Sequence, residues 1–354
     1  MIDLSRVLYC PVVSTRDAEF RGFSELSKST LSHLLPVVEL TRSRRSKLNA
    51  NGDIHRSLER LLEVVGNLPF IMDVSSSESQ QNSQTAELLS PENGFEAWCK
   101  FVASNVPSAI PVVHFLDPFD EGNFLVQLER LGKVSGLVAL RIPTWFDDFP
   151  ALMSALSTSS IQCDFILLLD AAFVRGEAEA NAALTRMLEM YEVLRSQTSV
   201  RFVSTLASAF PSSVVDPGYG GDEHGILPLH EVMISRKFAE KIPATQDGPK
   251  VLYGDYSCIH PLDFQGTVTN WVPRVDCPLD EIVFYRRYRR HEGGYVRAAK
   301  AVADDAMYRP LECWGCEQIS AAARNDPQGR SPSFWISVRL NIHIERQVVR
   351  LLPG

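Results

Sequence analysis

The chain has 354 residues, of which 45% are hydrophobic, so it can bury a large core as one barrel with an extension or as two domains. Its net charge of -8 excludes a protein whose whole surface attracts nucleic acid or anionic lipid, although a local basic patch could still bind phosphate. No apolar run approaches the roughly 20 residues of a membrane span, which argues against a membrane protein.

Eight short apolar runs, most of them followed by a helix-like stretch, recur along the first 256 residues. Each is Leu-rich or β-branched and almost continuously apolar, which is typical of parallel strands covered on both faces. Eight such units close a (β/α)₈ barrel. The sequence therefore predicts an α/β fold, a (β/α)₈ TIM-like barrel over residues 1–263. The runs are 7–13, 34–40, 69–74, 109–115, 136–142, 163–170, 200–207 and 251–256.

Apolar residues at helical spacing separate most of these runs. One predicted helix begins after Asp53 as its cap, and another, before the fifth run, is expected to end at Gly132. Two polar segments, 75–94 and 211–225, interrupt the pattern. We expect both to be excursions at the barrel mouth, either lids or insertions without a function.

The pattern changes after residue 263. Residues 282–285 are strand-like, 295–307 are helical, and 334–344 alternate in polarity as a half-buried strand does. These elements predict a C-terminal β/α extension, residues 264–354, packed on the barrel.

Polar side chains stand at the carboxyl ends of the predicted strands, where barrel enzymes hold their catalytic groups. Carboxylates there could bind Mg²⁺ or Mn²⁺ and arginines could bind phosphoryl oxygens, so metal-assisted hydrolysis of a phosphoester or nucleotide is one hypothesis. The alternative is that the acids and arginines neutralise each other where the strands leave the core. The candidate catalytic residues are Glu39, Asp73, His114, Arg141, Asp170, Asp255 and Tyr256.

Basic and aromatic residues suggest a ligand-binding surface. Arg16 and Arg42 follow the first two strands, and residues 285–291 interleave four arginines with two tyrosines, including Tyr285 and Arg287. Such a mixture suits phosphates and stacked bases. A strand with solvated arginines is more frequent in an acidic protein, so nucleic acid is considered as a partner but not favoured.

Seven cysteines, an odd number, are scattered along the chain. Cys313 and Cys316 form a C-x-x-C motif, which Cys258 and His260 could extend to a zinc site only with unusual spacing. We expect reduced thiols, no disulfide and no zinc in a cytoplasmic protein without a signal peptide. The signatures of P-loop, Rossmann and G-x-S-x-G proteins do not occur.

Several stretches resemble the beta-protein family of bacteria and their phages. They are YCPVVSTRDAEFRGFSEL from Tyr9, LLPVVEL, IMDVS, VLYGDYSCIHP and FWISVRLNIHI. Arg16 stands in for the family's usual basic residue after the first strand, and Cys316 occupies a place expected to be acidic. The family positions that the resemblance implies are Tyr9, Pro11, Glu19, Pro36, Glu39, Asp73, Gly254, Asp255, Tyr256, Tyr285, Trp335 and His343.

The resemblance adds His343 to the candidate ligand-binding residues, and it implies a role in phage-host conflict without implying an activity. Two functions stay open. One is a phage- or mobile-element-associated barrel protein that acts on a phosphate-containing ligand at the barrel mouth. The other is a non-catalytic protein that binds a protein or nucleic-acid partner. Strand-end acids that converge on one metal would favour the enzyme, and acids that pair with Arg42 and Arg141 would favour the binding protein.

Overall fold

Eight parallel strands form the centre of the molecule. The computed structural model describes residues 4–159, 161, 163–195, 200–215, 222–242, 248–261 and 271–352. The order of the strands in the sheet is β4-β3-β2-β1-β9-β7-β6-β5. The strands are β1 (Tyr9–Ser14), β2 (Val37–Leu40), β3 (Ile71–Val74), β4 (Ile110–Pro111), β5 (Leu137–Pro143), β6 (Asp164–Phe173), β7 (Val200–Ser208) and β9 (Lys250–Asp255).

The two edges of this sheet meet, so that the sheet curls into a barrel. A parallel bridge joins Val112, just after β4, to Ala139 on β5, and the Val113 N–H donates to the Ala139 carbonyl at 2.9 Å. Each predicted apolar run supplies one strand of this barrel. The prediction of a (β/α)₈ TIM-like fold is therefore confirmed.

Helices cover the outside of the barrel. Asp53 caps α3 as expected, but α6 continues past Gly132 and ends at Gly136, whose positive φ of 67° suits a residue without a Cβ. The helices in this part of the chain are α1 (Asp17–Ser24), α2 (Lys28–Leu31), α3 (Ile54–Val65), α4 (Ser83–Leu88), α5 (Glu92–Asn105), α6 (Glu121–Ser135), α7 (Phe149–Thr158), α8 (Glu177–Arg195) and α9 (His230–Lys241).

The polar segment 75–94, expected to be an excursion at the barrel mouth, contains α4 and the start of α5. Its polar residues serve as caps: the Asn82 side chain accepts from the Thr85 N–H, and the Thr85 hydroxyl accepts from the Asn82 N–H. This reciprocal pair begins α4. The second predicted excursion, 211–225, is only partly described, because residues 216–221 lie outside the described residues.

A small antiparallel sheet and three helices stand beside the barrel. The sheet has the order β10-β11-β8, so one of its strands precedes the last barrel strand in the chain. The separation into domains at residue 263 stays a prediction. The added elements are β8 (His224–Pro228), β10 (Arg274–Pro278), β11 (Ile282–Arg287), α10 (Gly294–Ala303), α11 (Trp314–Ala323) and α12 (Pro332–Leu351).

The strand predicted for residues 334–344 is wrong, because this stretch forms the middle of α12. Ser331 caps the helix by accepting from the Phe334 N–H, and Pro332 occupies its first turn. Nearly all residues of the stretch are buried, the polar ones included. The alternation of polar and apolar residues therefore did not indicate a strand with one buried and one solvent-exposed face.

Apolar side chains fill the barrel interior below its carboxyl-terminal mouth. This inner cluster includes Val12, Val37, Ile71 and Leu252. A larger cluster lies between the strands and the helices. Polar side chains at the strand ends consequently lie on top of a packed core. Within the described part of the chain, no helix combines the length and apolarity needed to cross a membrane.

Candidate functional site

Arg141, near the carboxyl end of β5, lies at the centre of the barrel mouth. Its Nε donates to Asp170 Oδ2 at 2.8 Å, and its Nη1 donates to Glu39 Oε1 at 2.7 Å and Asp73 Oδ2 at 2.8 Å. Its Nη2 donates to the Tyr256 hydroxyl at 2.8 Å. Parallel strands bring these residues together because their carboxyl ends open on one face. The arrangement is an ion-pair network around one guanidinium group.

The network extends on both sides of Arg141. The Tyr256 hydroxyl donates to Asp170 Oδ2 at 2.6 Å. His114 Nε2 lies 3.1 Å from Asp73 Oδ1, and its ring stacks on Trp98 with centroids 5.1 Å apart. Six of the seven predicted catalytic residues therefore meet at the mouth, as the strand-end argument required.

The acids of this network respond differently to burial. Burial alone would raise the pKa of Asp73, but the hydrogen bond with His114 and the charge of Arg141 outweigh it and lower the pKa to about 2. Burial also raises the pKa of Glu39, and the opposing charge of Arg141 does not fully offset it. Glu39 is thus the acid at the mouth that holds its proton more tightly than usual.

Asp255, the seventh predicted catalytic residue, lies apart from the network and is fully buried. Its carboxylate accepts from the hydroxyls of Tyr9 at 2.5 Å and Tyr253 at 2.6 Å, and it lies 2.6 Å from His343 Nε2. The thiol of Cys258 lies 3.1 Å from His343 Nδ1. Asp255 and His343 therefore join α12 to the barrel, and both are out of contact with solvent.

A cavity of about 820 Å³ opens between the barrel mouth and the C-terminal elements. From the barrel side, Ser14, Arg16, Glu39 and Tyr256 line it. The opposite wall comes from the small sheet, α12 and the described residues that precede β10. The acids of the mouth and the C-terminal elements therefore border the same space.

Two arginines in the cavity wall share one carboxylate. Arg274 Nε lies 2.7 Å from Asp276 Oδ1, and Arg339 Nη1 donates to Asp276 Oδ2 at 2.7 Å. Arg339 is 5% exposed, its guanidinium lies 4.0 Å from the centre of the Phe210 ring, and its Nε has no hydrogen-bond partner among the described residues. Burial lowers the pKa of Arg339, and the charge of Arg274 lowers it further against the opposing effect of Asp276. This wall carries more positive than negative charge.

The predicted ligand-binding residues are divided between the cavity and its surroundings. Arg16 and Arg287 line the cavity. Arg42 lies beside it and donates from Nη2 to the Ser79 carbonyl at 2.9 Å. Tyr285 is fully buried beneath Arg274, whose guanidinium lies 5.9 Å from the centre of the ring. His343 belongs to the Asp255 cluster described above.

Aromatic side chains complete the wall on the C-terminal side. Tyr295 and Trp335 stack with ring centroids 5.2 Å apart and an interplanar angle of 12°. Trp271 lies nearby with the Arg290 guanidinium 4.3 Å from its ring centre. The cavity thus combines arginines with aromatic faces.

The cysteines lie away from this cavity wall. All seven are free thiols. Cys313 is the residue immediately before α11, and the hydrogen bond from Cys313 lowers the pKa of Cys316 to about 7. No group of three His, Cys, Asp or Glu side chains in the described ranges is arranged to hold a metal ion. At the mouth, the guanidinium of Arg141 holds the place among the carboxylates that a cation would take.

Sequence reasoning missed Arg274, Asp276 and Arg339 as site residues. Arg274 and Asp276 alternate on a strand that was not predicted, and Arg339 lies in the stretch predicted as a strand instead of a helix. A helical interpretation of α12 would have placed Trp335 and Arg339 four residues apart on one face. The pairing with Asp276 had no signal in the sequence.

Comparisons with known proteins identify the family of this chain. The sequence model of a family described as Beta protein matches residues 9–349. Protein beta of Enterobacteria phage P4 is 32% identical over 343 residues, which cover 96% of this chain and 92% of the phage protein. Because both matches extend over nearly the whole chain, this chain belongs to the Beta protein family.

Proposed function

We propose that this phage-type protein binds a phosphate-bearing ligand of the size of a nucleotide in the cavity between the barrel mouth and the C-terminal elements. The observation that carries the proposal is the Arg274–Asp276–Arg339 group, in which one buried carboxylate serves two arginines. A phosphate in the cavity would neutralise the remaining charge, and guanidinium groups bind phosphate oxygens with well-matched geometry.

Three further features support a nucleotide in particular. A cavity of about 820 Å³ lies within the range of small-ligand sites, which span roughly 300–1,000 Å³. The exposed Arg16 adds a cation on the barrel side, where its ion pair with Glu19 is long at 3.9 Å. Aromatic residues such as Trp271 supply the kind of surface on which a base stacks.

Binding, without turnover, is the simpler interpretation of the mouth. The strand-end acids Glu39, Asp73 and Asp170 pair with Arg141, as expected for a binding protein. Because these carboxylates already pair with Arg141, the proposed binding does not depend on a divalent metal.

Titration calorimetry with nucleoside monophosphates, nucleoside triphosphates and inorganic phosphate tests this proposal. Arg16→Gln removes an exposed cation from the cavity wall and should weaken binding about 10- to 100-fold, since a charge-assisted hydrogen bond contributes about 1.5–3 kcal/mol. Arg56→Gln, an exposed arginine on α3 outside the cavity, is the matched control and should bind as the unaltered protein does. Equal affinities for both variants, or the absence of any nucleotide binding, would refute the proposal.

Hydrolysis of the bound phosphoester is a second candidate, favoured by the position of Glu39. Its side chain borders the cavity and burial raises its pKa, as suits a general base. Glu39 would take a proton from a water that attacks phosphorus. The phosphoester P–O bond would break, and the departing oxygen would keep the bonding electrons and receive a proton from Glu39 or from solvent. Release of phosphate or nucleotide product, abolished in Glu39→Gln while ligand still binds, would establish this activity.

The phage relative also supports a proposal about biological context. We propose that binding occurs in the cytoplasm of the bacterial host during phage-host conflict, where nucleotides and nucleic acids are the phosphate-bearing molecules of interest. A protein partner is the alternative that the sequence left open, and purification from infected cells without recovered nucleic acid would favour it.

A further inference from the structure

We propose that the ligand of the cavity is part of a single-stranded nucleic acid, which leaves the cavity over a basic loop formed by residues 42–52. The inference rests on the proposed function of the cavity and names the class of its ligand. The basic loop follows β2 and carries four cations within six residues, Arg42, Arg44, Arg45 and Lys47.

The charges of the basic loop have no acidic partner among the described residues. Arg44, Arg45 and Lys47 are exposed, and Arg42 is partly buried. The ion pairs of the described residues lie elsewhere and involve none of the four. In a chain of net charge -8, a concentration of unpaired cations at one place is a local feature, and it fits an anionic partner.

Hydrogen bonds hold the basic loop in a defined shape. The buried Asn49 donates from Nδ2 to Ser43 Oγ at 2.8 Å and to the Arg44 carbonyl at 3.0 Å. Ser46 and Asn49 also exchange backbone hydrogen bonds at 3.1 and 3.0 Å. Asn82, the cap of α4, donates to the Gly52 carbonyl at 2.9 Å. The cations are therefore presented on a supported backbone, which lowers the entropic cost of binding.

The basic loop is continuous with the cavity. The Arg42 N–H donates to the Gln80 carbonyl at 2.9 Å, and Ser79 and Gln80 line the cavity together with Arg16. Burial lowers the pKa of Arg42, and the charges of Arg45 and Arg16 lower it further. The cations of the basic loop and of the cavity wall thus act on each other and form one positive stripe.

A polynucleotide is the ligand that matches this stripe. A mononucleotide would occupy the cavity and leave the basic loop without a partner, whereas a strand repeats its phosphate along its length. Bases can reach aromatic side chains inside a cavity of this size only when they are unpaired, which favours a single strand over a duplex. Leu48, 92% exposed at the tip of the basic loop, adds an apolar surface for a base outside the cavity.

Fluorescence anisotropy with a labelled oligothymidylate of about twelve nucleotides tests the inference. The variant Arg44→Gln/Arg45→Gln/Lys47→Gln removes three exposed charges of the basic loop. The control Lys100→Gln/Lys133→Gln/Lys241→Gln removes three exposed charges from α5, α6 and α9, so both variants change the net charge equally. For single strands, each lost phosphate contact lowers the slope of log affinity against log salt by about 0.7, so the loop variant should lose about 2 units.

The outcomes separate the inference from the proposed function. We expect the loop variant to bind the oligonucleotide about 10- to 100-fold more weakly at low salt, the control to bind normally, and mononucleotide binding to be equal in all three proteins. Oligonucleotide binding that is equal in the two variants, or undetectable while mononucleotides still bind, would overturn the inference alone. If the unaltered protein binds neither the oligonucleotide nor a mononucleotide, the proposed function is overturned as well. Equally strong binding of anionic lipid vesicles, or a preference for duplex, would also contradict a single-strand site.

Discussion

Arg141 gives the barrel mouth its charge balance. Its guanidinium group forms ion pairs with three carboxylates, and the Arg141 side chain is 15% exposed. A charge in such a place is tolerated because its partners are fixed by the strands, and each partner depends on it in turn. The consequence is a rigid floor beneath the cavity.

Replacing this cation should therefore reduce stability strongly. Arg141→Met leaves Glu39, Asp73 and Asp170 close together without a counter-charge, and we expect a loss of about 3–5 kcal/mol in the free energy of unfolding at neutral pH. Urea denaturation followed by circular dichroism measures it. Arg201→Met, which breaks the exposed pair with Asp164, should cost no more than about 1 kcal/mol. Similar losses in the two variants would show that the mouth network contributes little.

Asp255 makes a second prediction, in which the pH dependence has a definite sign. Burial alone would raise its pKa, but the charge and hydrogen bond of His343 and the hydroxyls of Tyr253 and Tyr9 outweigh burial and lower it. A lowered pKa in the folded state means that ionised Asp255 stabilises the fold above its unfolded pKa of about 3.9. This contribution disappears as the pH falls through the lower folded pKa.

Asp255→Asn should consequently destabilise the protein at neutral pH by about 3–5 kcal/mol, with a smaller difference from the unaltered protein below about pH 4. Chemical unfolding across the acid range measures both effects. Asp304→Asn, at an exposed pair with Lys300, is the control and should have little effect at any pH. Normal stability of Asp255→Asn, accompanied by lost ligand binding, would contradict the structural role assigned here.

At the scale of elements, α12 shows why part of the fold could not be predicted. The eight barrel strands were predictable because parallel strands are apolar on both faces and need no knowledge of their neighbours. In α12, by contrast, polar side chains are buried because they form hydrogen bonds with residues far away in the chain. These side chains are Arg339, Asn341 and His343. Polar residues in that stretch form tertiary hydrogen bonds, and so their alternation with apolar residues imitates a strand although the stretch is helical.

The contact between α1 and α12 is close enough to depend on one glycine. A Cβ placed on Gly22 would lie 2.5 Å from the Ser337 carbonyl oxygen and 2.9 Å from Leu340 Cδ2. Gly22→Ala should therefore push α12 away and cost about 1–3 kcal/mol in stability. Gly176→Ala, where a Cβ meets nothing within 4 Å, is the control. Thermal unfolding compares them, and an unchanged melting temperature for Gly22→Ala would mean that the helices separate without cost.

At the scale of the whole molecule, the barrel mouth was predictable and the cavity above it was not. The ends of the predicted strands identified Glu39, Arg141 and Tyr256, because the carboxyl ends of all parallel strands lie on the same face of the barrel. The opposite wall depends on how α12 and the small sheet dock on the barrel. That docking depends on individual ion pairs, such as the one between Arg339 and Asp276. No local pattern in the sequence predicts such a pair.

The position of α12 in the chain has a consequence for synthesis. Trp335 and Arg339 line the cavity and His343 satisfies Asp255, yet the ribosome makes these residues after all eight barrel strands. In a nascent chain that ends before residue 332, Asp255 would lack the His343 imidazole as its partner. The barrel mouth would be open on one side. A nonsense mutation upstream of that codon would therefore remove both the α12 wall of the cavity and the imidazole that contacts Asp255.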